Sequence, residues 1–155
     1  MTSPTITDSV SLTLPQISIA EAKPPETYLG IAHHMLLGVK ILASASLPPS
    51  LPLAMLSAHV LECALKAYLS RSGDDSRLMK KNLRHNLNAL WSLANAEGLK
   101  IPSQPYPWVE ILSHLHDSPY YLRYSTGVHC LQTPAPQPMV AELENFVTIV
   151  RTQLS

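Results

Sequence analysis

The stretch SLPLAMLSAHVLECALKAYLSRSG, residues 50–73, decides the fold. Its apolar residues Leu53, Leu56, Val60, Leu61, Ala64, Leu65, Tyr68 and Leu69 recur at the three- and four-residue spacing of a helix face. The stripe they form is broad, so this helix belongs at the centre of a core. Ser50 is placed to cap it, Pro52 is tolerated in its first turn, and Gly73 marks its end.

Upstream, a second helical pattern starts behind Pro24 and Pro25 and carries Tyr28, Leu29, Ile31, Met35, Leu36, Val39 and Leu42 as far as about Ser46. Downstream, residues 74–84 read as a polar connection with one helical turn around Leu78 and Met79. A third helix is expected over residues 86–96, stopped by Gly98. Pro102, Pro105 and Pro107 make a stiff loop before a shorter helix over residues 108–115. Residues 117–138, with Pro119, Gly127, Pro134, Pro136 and Pro138, read mainly as loop. The last helix is expected over 139–154, burying Val140, Leu143, Phe146, Val147 and Val150. The fold class is therefore all-α, an antiparallel up-and-down bundle of four to five helices over residues 24–155. Residues 1–23, rich in Thr, Ser and Pro, read as a flexible N-terminal tail.

At 155 residues the chain fits one core. Charged residues are 14%, against ~25% in an average globular protein, which points to an apolar surface covered by a partner. Net charge is zero, an argument against a broad nucleic-acid surface but not against a compact one. The charges are unevenly spread: six of the 11 cations lie between Arg71 and Lys100, with only Asp74, Asp75 and Glu97 among them. Two scattered cysteines, Cys63 and Cys130, suggest neither a disulfide scaffold nor a metal motif. His33-His34 and His114-x-His116 diverge around a helix, and His59 with Cys63 reads as a core-facing pair, so no metal and no cofactor is expected. The sequence shows no signal-peptide pattern and no apolar run of membrane-spanning length, and a cytoplasmic, non-membrane protein is expected.

Three segments stand in a suggestive order: Glu62-Cys-Ala-Leu-Lys66-Ala-Tyr68-Leu69, then Leu83-Arg84-His85-Asn86-Leu87-Asn88-Ala89-Leu90-Trp91, then Leu122-Arg123-Tyr124-Ser125. Together they resemble HEPN domains, a helical family of prokaryotic toxins, antitoxins and nucleotide-binding modules, over roughly residues 27–153. The resemblance implies a helical bundle that forms a homodimer and engages RNA, a nucleotide, or an antitoxin or other protein partner. Many members are metal-independent RNases that use an Arg followed by a His after four to six intervening residues. Arg123 and His129 meet that spacing. An imidazole can move a proton to or from RNA oxygens, and a guanidinium can hold the scissile phosphate.

The candidate residues follow from both readings. Arg123, His129 and Glu62 are the catalytic candidates, and Lys66, Arg84, His85 and Tyr124 the candidates for contact with RNA or a nucleotide. Glu62 and Lys66 stand at i and i+4, which on a helix surface is an ion pair worth about 0.3–0.5 kcal/mol. The neighbours of Glu62 are apolar, so a half-buried carboxylate needing a cation is expected, with Arg123 as the partner consistent with the family. Arg77, Lys80, Lys81, Arg84 and His85 are either a solvated connection or a phosphate-contacting edge. Trp91 is expected in the core, and Tyr120, Tyr121 and Tyr124 are the candidates for stacking. Gly127 inside the Arg123–His129 interval and the prolines after it favour a loop there. The leading function is accordingly a HEPN-like binding protein without catalysis, with the endoribonuclease as the alternative.

Overall fold

A computed structural model of the chain describes residues 24–124, 127 and 130–154. The expected N-terminal tail and His129 lie outside the described residues. The architecture is all-α, as the periodicity predicts: α1 (Glu26–Ala43), α2 (Ser50–Leu69), a 3₁₀ turn (Ser76–Met79), α3 (Leu87–Ala96), α4 (Pro107–His116) and α5 (Pro136–Leu154). No strand occurs among the described residues.

α2 packs against all four other helices. Residues 60–70 are buried without interruption, so its second half is enclosed on every side. α1 lies against it as the other arm of a helical hairpin and buries Ala32, Leu36 and Val39, one per turn. On the far side, the Trp91 ring from α3 stacks on Phe146 from α5 at 5.2 Å, and the indole N–H donates to the Pro102 carbonyl at 2.8 Å. Trp91 is thus a core residue, as expected.

Three local expectations change. Ser50 is the first helical residue of α2, not its cap; Pro49 holds the cap position, and no side chain caps the helix. α4 extends one residue further at each end, which brings His116 into the helix. α5 begins at Pro136 rather than Met139. Pro136 and Pro138 sit in its first turn, where backbone N–H groups have no intrahelical acceptor to lose. Asn86 does cap α3, accepting from the Ala89 N–H at 2.9 Å.

The basic connection is anchored at one end. Arg77 pairs with Glu97, just beyond α3, and donates at 2.7 Å to the Leu69 carbonyl at the end of α2. Arg71 joins the same carboxylate at 3.1 Å. These bonds fix the 3₁₀ turn, and they leave the other cations of the segment, Lys80, Lys81 and Arg84, exposed. No helix among the described residues is long and apolar enough to cross a membrane.

Candidate functional site

Glu62, in the enclosed half of α2, is only 4% exposed. Three groups converge on its carboxylate. Lys66, one turn on, donates to Oε1 at 2.6 Å. His116 Nε2, from the last residue of α4, lies 2.6 Å from Oε2, and His85 Nδ1, just before α3, lies 3.1 Å from the same oxygen. Burial pushes the carboxyl up, but the His116 hydrogen bond, the Lys66 charge and the bonds from Lys66 and His85 outweigh it and hold the pKa at about 2. Glu62 is therefore a carboxylate, and both imidazole nitrogens facing it donate.

The partners also assign the tautomers. Arg84 Nε donates to His85 Nε2 at 3.2 Å, so His85 carries its proton on Nδ1, where it is given to Glu62. His116 gives its Nε2 proton to Glu62, and its Nδ1 is buried with no partner among the described residues. The two rings meet edge to face at 5.6 Å.

One ligand atom from each of Glu62, His85 and His116 lies within 4.8 Å of the other two, a donor set that transition metals accept. The same atoms are already joined by hydrogen bonds. Lys66 places a positive charge on the other carboxylate oxygen, and Arg84 occupies the His85 nitrogen that would need to carry the proton if Nδ1 bound a metal. The residues present fit a proton-linked cluster better than a cation site.

Two depressions flank the cluster. One, of about 270 Å³, is lined by Met79, Lys81, Arg84, His85, Asp117 and Tyr120. Tyr120 has φ 65, the left-handed region that a residue with a bulky side chain seldom adopts. Its ring stands edge to face with His85 at 5.8 Å, and the Arg123 guanidinium lies 6.0 Å from its centre. The other depression, of about 190 Å³, is lined by Met35, Met55, Leu56, His59, His116 and Arg123. Burial lowers the His59 pKa, which keeps the ring neutral. Its Nε2 lies 3.7 Å from Cys63 Sγ, and burial, aided by the Glu62 charge, pushes that thiol up to about 12. Cys63 thus keeps its proton beside His59.

The sequence-predicted residues divide. Glu62, Lys66 and His85 come together, and Arg84 joins them through His85. Arg123 is not the cation of Glu62; Lys66 and two histidines hold that carboxylate instead. Glu62 and Lys66 are both buried, so the pair is no surface ion pair, and Lys66 has no free charge to offer a ligand. Arg123 and Tyr124 are exposed. Sequence reading named Tyr120 among the stacking candidates but missed His116, and His59 beside it, as members of the site. His116 was detectable, because it falls four residues after Leu112 on the buried stripe of α4.

Compared with known proteins, the chain matches no family model, no curated protein and no solved structure.

Proposed function

We propose that this protein is a HEPN-like helical binding module whose ligand is phosphate-bearing single-stranded RNA, held along the edge formed by Lys81, Arg84, His85, Tyr120 and Arg123. One observation carries the reading: the Tyr120 ring, on a left-handed backbone, sits between His85 and the Arg123 guanidinium beside a depression lined by Lys81 and Arg84. Among the described residues, no carboxylate lies within ion-pair distance of Lys81, Arg84 or Arg123. Cations free of ion pairs around a half-buried aromatic ring, with Asp117 the one acid in the lining, suit phosphates interleaved with bases. A compact edge of this kind also accommodates the zero net charge.

The test is a fluorescence-anisotropy titration of a short labelled single-stranded RNA at several salt concentrations. Affinity should fall with salt, and Lys81→Ala and Arg84→Ala should each reduce the salt slope by about one. Absence of binding at low salt would remove the reading.

The exposed Arg123 favours a second reading, a metal-independent endoribonuclease using Arg123 and His129. Cleavage of RNA that persists in EDTA and is lost in both Arg123→Ala and His129→Ala is its signature. A homodimer is supported by Leu37, Ile41, Leu47 and Leu51, which α1, α2 and their loop leave exposed. Light scattering of the purified chain reads the oligomeric state directly, and a monomer at all concentrations removes that part of the proposal.

A further inference from the structure

Beside the cationic edge lies the smaller depression lined by Met35, Met55, Leu56, His59, His116 and Arg123. Its volume of about 190 Å³ is below the ~300–1,000 Å³ of pockets that hold a whole small ligand, so it suits one part of a larger one. Three walls are apolar, and two of these are thioethers, which pack well against ring edges.

Its polar groups are few. His116 Nδ1 is buried and unpartnered, while Nε2 of the same ring is engaged with Glu62. A buried polar atom without a partner is uncommon in a folded protein and asks for one. His59 Nε2 is engaged with Cys63 Sγ at 3.7 Å, which leaves Nδ1 of the same ring for a ligand. Two imidazoles thus stand in the lining of one pocket, and one of them has a buried nitrogen without a partner. Arg123, exposed to solvent, adds a fixed positive charge to the same lining and also lies over Tyr120.

Each alternative occupant leaves something unmet. A bare anion gains nothing from Met35, Met55 and Leu56. An aliphatic chain leaves His116 Nδ1 orphaned. A flat heterocycle with an N–H donor next to an acceptor satisfies the walls and both imidazoles, and a phosphate attached to it reaches Arg123.

We propose that this pocket receives one unstacked nucleobase of the bound RNA or nucleotide, pairing its donor–acceptor edge with His116 and His59 while Arg123 takes the adjoining phosphate. The proposal rests on the phosphate-binding reading of the neighbouring edge and adds to it a site for the base. RNA recognition that splays a base out of the stack needs such a receptacle, and the backbone contacts alone do not supply one.

The experiment uses the full chain and three probes: the ribonucleoside 5′-monophosphates, the corresponding nucleosides, and ribose 5-phosphate. Binding is followed by the imidazole nitrogen resonances of the histidines. At least one monophosphate should bind about tenfold or more tighter than ribose 5-phosphate, the size of one ring contact, and it should shift the His116 Nδ1 resonance. Met55→Trp fills the pocket from a position already 40% exposed, so the fold tolerates it; its unfolding midpoint checks this. In that variant the monophosphate should weaken to the level of ribose 5-phosphate, whose own affinity stays unchanged. Equal affinities in the wild type, an unmoved His116 resonance, or an indifferent Met55→Trp would overturn the base pocket while leaving the phosphate edge standing. Binding of none of the probes would remove both.

Discussion

The Glu62 carboxylate takes a 2.6 Å hydrogen bond from His116, a residue 54 positions further along the chain. The bond joins the middle of the central helix to the last residue of α4. Two cation-capable groups of quite different sequence separation, Lys66 at 4 positions and His85 at 23, complete the same carboxylate.

Removing one member leaves the others stranded. In Glu62→Leu the Lys66 ammonium stays buried without its counter-charge, and two imidazole N–H groups lose their acceptor. A loss of about 3–5 kcal/mol is expected from uncovering a buried ion pair in this way. The double change Glu62→Leu with Lys66→Met should recover the part that belongs to the lysine. Urea unfolding midpoints measure both, and a single-variant loss no larger than that of an ordinary surface substitution would contradict the buried pairing.

Acid should act through the same carboxylate. Its folded pKa of about 2 lies below the ordinary 4.5, so protons bind the unfolded chain more readily. The stability it contributes is fully present above about pH 4.5 and disappears as pH falls toward 2. Denaturant titrations across this range should show stability falling in the wild type. In Glu62→Gln, which has no carboxyl there, that fall should be shallower; identical slopes would count against the assignment.

Tyr120 separates ring from backbone. Its φ of 65 costs on the order of 1–3 kcal/mol for a residue with a Cβ, a strain that glycine does not carry. Tyr120→Gly relieves the backbone but deletes the ring against His85 and Arg123. RNA affinity should drop by about tenfold, the equivalent of one stacked base, while the unfolding midpoint changes little because relief and lost contacts offset. Tyr120→Phe keeps the ring and should retain the affinity. Anisotropy with the two variants side by side decides it, and equal affinities for both would exclude a stacking role.

The helices were readable because apolar spacing reports burial directly. The run from Val60 to Leu69 and the stripe Leu143, Phe146, Val147 and Val150 needed no tertiary information. The prolines at 136 and 138 misled, since proline ends a helix or begins one and the residue type alone does not say which. That Glu62 needed a cation followed from its apolar neighbours; which cation did not. Lys66 was in view at i+4, whereas His116 comes from a helix whose packing against α2 only the folded chain specifies. Arg123 belonged to the expected site for its spacing to His129, and the structure places it beside Tyr120, His59 and His116.

The cluster around Glu62 also answers a question of uniqueness. Helix faces made mostly of leucine and alanine can slide past one another with little loss, because one apolar contact replaces another. Moving α4 by one residue would swing His116 about 100° away from α2 and leave Glu62 Oε2 with a single donor. The carboxylate therefore works as a key with one setting: it accepts a single alignment of α2, α3 and α4 among the many that the greasy surfaces would tolerate.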